Sequence, residues 1–130
     1  MFDRYMIVEN TLRNVSAGGE TYAQMGIRFP HHCGIWVSII EQLELELDGQ
    51  PVPADRMSLE IHGNRYRVIE LELEQKDRWN FGEIGILWIS IQEPLKPGVH
   101  EIRLKMGLRV SFLEWLLTGS DEKQMVLMEA

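Results

Sequence analysis

The amino-acid sequence predicts an all-β fold: an antiparallel β-sandwich, jelly-roll-like, in a single domain over residues 1–130. The prediction rests on three observations. The run from Leu95 to Phe112 opens on Pro97-Gly98 and then alternates. Ile102, Leu104, Met106, Leu108, Val110 and Phe112 point one way, and Glu101, Arg103, Lys105, Gly107, Arg109 and Ser111 the other. Period two over such a length describes a strand with one buried face. Short apolar runs separated by turn residues recur along the rest of the chain, as in sandwiches. No long stretch carries helical apolar spacing, which argues against an α/β fold.

The elements follow in order. Met6–Val8 and Thr11–Val15 read as an opening strand interrupted near Glu9-Asn10, and Ala17-Gly18-Gly19-Glu20 as a turn. Tyr22–Phe29 reads as a second strand stopped by Pro30, followed by a His31-His32-Cys33-Gly34 loop and an apolar, β-branched run over Ile35–Ile40. Leu43–Leu47 alternates strictly and ends at Asp48-Gly49, a strong hairpin signal. Pro51 and Pro53 confine the return to a short edge. Ser58–His62, a Gly63-Asn64 turn and Arg65–Val68 form a second hairpin. Glu70–Gln75 suits either a strand face or a helix. Lys76–Glu83 is turn-rich and carries Trp79 and Phe81. Ile84–Ile91 is apolar on both faces and should be a central strand covered on two sides. Residues from about 120 to 130 read as a C-terminal tail, extended or frayed at its end.

Composition narrows the function. With 130 residues, 45% of them hydrophobic, the chain can bury a core without disulfide or metal. The formal net charge of −7, with basic residues scattered singly, argues against nucleic acid as a partner. The single cysteine, Cys33, makes neither an internal disulfide nor a four-cysteine zinc site and fits a reducing compartment. The opening residues do not read as a signal peptide, and no apolar stretch approaches the roughly 20 residues of a membrane helix. The expected location is the cytoplasm, without membrane association.

Candidate chemistry is sparse. Glu44, Glu46 and Asp48, like Glu70, Glu72 and Glu74, read as solvated faces or as acidic strips toward a basic partner. His31-His32-Cys33 is the one metal-like cluster, but neighbours in extended chain point to opposite sides, and nothing in sequence brings His62 or His100 near. No nucleophile elbow, phosphate-binding glycine loop or other catalytic motif is present. Trp36 and Trp88 lie in apolar strand contexts that favour core packing. Trp79, Phe81 and Trp115 are candidate interface anchors, sugar-stacking platforms or core plugs.

Several segments occur together in an order that marks a family. They are Met1–Glu9 with Leu12-Arg13-Asn14-Val15; the Pro30–Leu47 region with Asp48-Gly49; Val52-Pro53; His62-Gly63-Asn64; Arg78-Trp79 with Phe81-Gly82-Glu83; Leu95-x-Pro97-Gly98-x-His100-Glu101; Arg109-x-Ser111-Phe112; and Leu117-Thr118-Gly119. In these the chain resembles the small, or beta, subunit of bacterial C-glycoside deglycosidases. The resemblance implies a β-sandwich subunit paired with a larger TIM-barrel subunit in a higher-order hetero-oligomer. The large subunit would hold a divalent metal, usually manganese, and the catalytic bases. The complex would cleave the carbon–carbon bond between sugar and aglycone in 3-oxo-C-glucosides of flavonoids and related phenolics. In such a lyase-like reaction the ketone acidifies the neighbouring sugar C–H, a base removes that proton, and the aglycone leaves from C1. The oxo group would come from a separate oxidoreductase. The resemblance assigns no catalytic residue, metal ligand or cofactor to this chain.

Phe29, Trp36, Trp79, Phe112 and Trp115 form the pool of candidate interface residues, two or three facing the partner and the rest filling the core, with His31 and His32 at a pocket edge. Two rival readings are a carbohydrate-binding module that stacks sugars on exposed Trp79 and Trp115, and a cupin-like metalloenzyme using His31, His32 and His62 or His100.

Overall fold

The computed structural model describes residues 5–29, 34–74, 77–109 and 117–128. His31, His32, Cys33, Val110, Ser111, Phe112 and Trp115 lie outside that set. The strands are β1 Arg13–Ala17, β2 Glu20–Ile27, β3 Ile35–Trp36, β4 Ile40–Leu47, β5 Gln50–Pro51, β6 Met57–Ile61, β7 Asn64–Arg67, β8 Arg78–Trp79, β9 Gly85–Ser90, β10 Val99–Leu108 and β11 Leu117–Val126. They form a five-stranded sheet, β1-β2-β9-β6-β7, a four-stranded sheet, β11-β10-β4-β5, and a small β3-β8 pair, all with antiparallel pairing. None of the described helices is long and apolar enough to cross a membrane.

One apolar cluster draws on both large sheets, with Met25, Leu59 and Leu87 from the first and Leu45, Leu104 and Met106 from the second. Burying inward-facing residues of two sheets in one core defines a sandwich. The predicted period-two run is β10: His100, Ile102, Leu104, Met106 and Leu108 are buried between exposed or half-buried Glu101, Arg103 and Lys105. Its register with β4 skips Glu41 between Gly107↔Gln42 and Leu108↔Ile40. The bulge lets Glu41 meet Arg109 at 2.7 Å.

Three hairpins turn on two residues with φ above zero: Gly18-Gly19, Asp48-Gly49 and His62-Gly63. That signature belongs to type I′ turns, whose twist matches the flanking strands. The second hairpin therefore turns one residue earlier than Gly63-Asn64, and Asn64 already pairs with Ile61.

One open reading is resolved and one changes. Val68–Leu73 is a 3₁₀ helix. Its period of three puts Val68 and Leu71 against the core and leaves Ile69 and Leu73 exposed, so the Leu/Glu alternation there was no strand face. The segment after residue 117 is no tail but the ten-residue β11, paired along β10 from Val99↔Val126 to Leu108↔Leu117. Its inward positions are Gly119, Asp121, Lys123 and Met125, so polar side chains hide the alternation. β9 is central, as predicted, with Gly85, Leu87 and Ile89 buried. Its second face is only half-covered: Trp88 packs edge-on against Tyr22 at 5.2 Å, and the Arg65 guanidinium lies 4.2 Å from the Trp88 ring.

Candidate functional site at the 77–83 corner

Residues 77–83 carry more of the chain's distinctive side chains than any other segment, and the fold explains how. Asn80–Glu83 is a turn closed by the Glu83 amide donating to the Asn80 carbonyl at 3.1 Å, with Gly82 at φ 87°. A positive φ at the third turn residue is the position type II turns reserve for glycine. The turn folds Trp79 inward. Its ring is fully buried, its indole N–H donates to the Glu83 carbonyl at 2.8 Å, and it packs edge-on against buried Phe29 at 5.3 Å. Gly85 lies beneath, where a Cβ would stand 2.9 Å from Ile61 Cδ1 and 3.1 Å from Trp79 Cζ2.

The same turn completes a polar cluster. His62, at the tip of the β6–β7 hairpin, places Nδ1 at 2.9 Å from Asp77 and Nε2 at 2.6 Å from Glu83. Tyr66 donates to the other Asp77 oxygen at 2.5 Å, Asn64 reaches it at 3.4 Å, and the second Glu83 oxygen accepts the Asn80 amide at 2.9 Å. Only a protonated imidazole donates to two carboxylates at once. The bond to Asp77 first, then that to Glu83, raises the His62 pKa. Burial pushes Asp77 up, but its bonds to Tyr66, His62 and Asn64 outweigh burial and hold it low. The His62 bond likewise holds Glu83 low. Burial, then the neighbouring Asp77, drives the Tyr66 phenol well above its usual range.

Such a cluster braces two loops and leaves His62 no free nitrogen to act as base or ligand. The carboxylates sit on opposite edges of the ring, so they do not converge on a common point. No group of three or more His, Cys, Asp or Glu side chains among the described residues is arranged to hold a metal.

A second histidine is used in the same way at another place. His100 Nδ1 lies 2.6 Å from Asp48 and its Nε2 2.7 Å from the Lys96 carbonyl. Asp48 also accepts the Glu101 amide at 2.8 Å. Sequence reasoning saw nothing to bring His62 or His100 to a partner. The available signal was that His62-Gly63-Asn64 and Phe81-Gly82-Glu83, like Asp48-Gly49 and Pro97-Gly98-x-His100-Glu101, belong to one family pattern.

The predicted residues separate clearly. Phe29 and Trp79 are core, so Trp79 offers no platform for a sugar. Trp36, whose apolar context favoured core packing although it also stood in the interface pool, is 42% exposed on the two-residue β3. The Arg78 guanidinium lies 4.8 Å from its ring. Glu44 and Glu46 lie with Arg103, Lys105 and Glu122 along the outer face of the four-stranded sheet, an exposed mixed-charge surface. His31, His32, Phe112 and Trp115 fall outside the described residues.

Comparison with known proteins bears on the same segments. A family model described as "C-glycoside deglycosidase beta subunit" matches residues 2–112. A "C-glycoside deglycosidase beta subunit" from Eubacterium cellulosolvens is 24% identical over 131 residues, covering 97% of this chain and 89% of the relative. A "3'-dehydrocarminate deglycosidase beta subunit" from Microbacterium sp. is 23% identical over 137 residues, covering 99% and 98%. With most of its length matched by the family model and both relatives aligned over nearly all of this chain, the chain belongs to the C-glycoside deglycosidase beta subunit family.

Proposed function

We propose that the chain is the non-catalytic small subunit of a heteromeric, cytoplasmic C-glycoside deglycosidase. It stabilises a TIM-barrel large subunit and walls one side of the substrate pocket. The complex, a higher-order hetero-oligomer, cleaves the carbon–carbon glycosidic bond of a 3-oxo-C-glucoside. The observation that carries this reading is the full-length match to two proteins each named as a beta subunit of a deglycosidase.

The geometry supports the division of labour. Proton abstraction beside a sugar ketone needs a base with a free lone pair near the substrate. His62 and His100 spend both ring nitrogens on carboxylates and a carbonyl of their own chain. A divalent metal such as manganese needs converging ligands. The described residues do not fit one, and the metal and the bases are assigned to the large subunit. The experiment is to purify this chain alone and with the large subunit encoded beside it, and to assay a 3-oxo-C-glucoside. Activity is expected only for the pair. Cleavage by the small chain alone, or full activity and stability of the large chain without it, would overturn the proposal.

A further inference from the structure

We infer that the corner built from Tyr5, Arg28, Trp36, Arg78 and Phe81 is the anchor by which this chain grips an acidic patch on its large subunit; the inference rests on the heteromeric reading above. The five side chains form two arginine–aromatic groups joined through the 80–83 turn and Gly34. Phe81, 45% exposed, stacks on Tyr5 at 5.5 Å, and the Arg28 guanidinium sits 4.4 Å from the other ring of that pair, Tyr5. From Phe81 the turn leads to Asn80, whose side chain abuts Gly34. The Gly34 carbonyl accepts from Arg78 at 3.0 Å, and Arg78 lies over Trp36. Exposed tryptophan and phenylalanine with a half-buried tyrosine, interleaved with arginine, match the composition of interface centres.

Charge selects the occupant. Neither Arg28 nor Arg78 has a carboxylate in ion-pair contact among the described residues. Two described acids near this corner, Asp77 and Glu83, are taken by His62. Arg28 is half-buried, its Nε is buried with no hydrogen-bond partner, and among the described residues its guanidinium makes only one hydrogen bond, a long 3.4 Å contact to the Tyr5 carbonyl. A buried donor without acceptor is costly and rarely left so. Arg65, which also covers aromatic rings, differs: it is exposed and donates to the Tyr22 hydroxyl at 3.2 Å. In a chain of net charge −7, most of the surface repels an acidic partner. Two arginines placed over aromatic rings carry the planar forks that match carboxylates.

The test measures binding of the small chain to the purified large subunit at low and high salt, with the melting temperature of each small-chain variant alone. Wild type should bind, and more weakly as salt rises. Arg28→Glu and Arg78→Glu should each weaken binding roughly tenfold or more, and Trp36→Ala similarly, with melting temperatures of the free chains unchanged. Arg103→Glu, on the outer face of β10, should bind as wild type does. Wild-type binding that persists through all three corner variants would overturn the anchor while leaving the heteromer standing. A fall in the melting temperature of free Arg28→Glu, with Arg78→Glu and Trp36→Ala binding normally, would assign Arg28 to its own fold and also overturn the anchor. Absence of any wild-type complex would instead overturn the heteromeric reading.

Discussion

His100 and Asp48 stand 52 positions apart, yet the ring and the carboxylate meet at 2.6 Å. The contact locks the β4–β5 turn onto the start of β10. It is reinforced by the backbone, because the Asp48 amide donates to the Glu101 carbonyl at 2.8 Å while the Asp48 side chain accepts the Glu101 amide at 2.8 Å. The Lys96 carbonyl takes the other ring nitrogen, so the buried imidazole satisfies both neighbours only when protonated.

This clasp should give the protein a defined pH dependence. Burial works against the charge on His100, but the bonds to Asp48 and to the Lys96 carbonyl outweigh it and raise the pKa. A raised histidine stabilises fully below its unfolded value, about 6.5, and the stabilisation is lost as pH rises through the higher folded value. For Asp48, burial is again opposed and outweighed, here by His100 and the Glu101 amide, so its pKa is lowered. Its contribution is present above the unfolded value of about 3.9 and lost as pH falls through the lower folded one. Urea titrations should show His100→Ala less stable by about 1–3 kcal/mol near pH 6. The gap should narrow on the alkaline side. A gap that widens there would show that the ring is held neutral.

His62 should titrate in the same direction for a different reason. It is largely solvated, with 42% of its side chain exposed, and its two ion pairs add little to stability. His62→Asn should therefore shift stability by no more than about 1 kcal/mol, since asparagine also suits the positive φ of a type I′ turn. The sensitive readout is nuclear magnetic resonance of the ring. The wild-type midpoint should lie above the ordinary histidine value. Asp77→Asn should lower it more than Glu83→Gln does, because the Asp77 bond is the larger cause. No effect of either substitution would remove the two-carboxylate brace, and equal effects would remove the ranking of its two bonds.

What was legible in the sequence was whatever local pattern decides. β10 was readable because its apolar face faces one core. Asp48-Gly49 was readable because only certain residues adopt φ above zero at both turn positions. β11 was not, because its inward face carries Gly119, Asp121 and Lys123, and pairing with β10 rather than its own periodicity makes it a strand. The His62 cluster was hidden for a similar reason: Asp77 is an ordinary acid in a turn-rich segment until the hairpin tip arrives beside it. Trp36 and Trp79 both stood open between core and interface, and the fold sorts them. The apolar context of Trp36 said nothing of a two-residue strand facing outward, and the polar context of Trp79 concealed a turn that folds it in.

The contrast between those two tryptophans is measurable. Trp79→Ala empties a fully buried site against Phe29 and Gly85 and should cost about 3–5 kcal/mol. Trp36→Ala should change the stability of the free chain by no more than about 0.5 kcal/mol. Gly85→Ala should destabilise by about 1–3 kcal/mol, because the new methyl group meets the rigid Trp79 ring. Comparable losses for both tryptophans would mean that Trp36 is buried in solution.

Asp121 ties the residues ahead of β1 to the four-stranded sheet. It is buried on β11 and accepts the Ile7 amide at 2.9 Å and Lys123 Nζ at 2.6 Å through one oxygen, and the Glu122 amide through the other. An inward-facing charged pair on an edge strand also disfavours pairing with a second molecule. Asp121→Ala should lose about 2–4 kcal/mol, since it strips the acceptor from a buried amide and a carboxylate from Lys123. Replacing both charges, as Asp121→Leu with Lys123→Met, should recover only part of that loss. The pair itself is dispensable in an apolar setting, but the Ile7 amide remains buried and without its acceptor. Hydrogen exchange at Ile7 decides between the two terms. It should accelerate in the single and the double variant alike, whereas protection restored in the double variant would show that the ion pair, and not the amide bond, holds this segment.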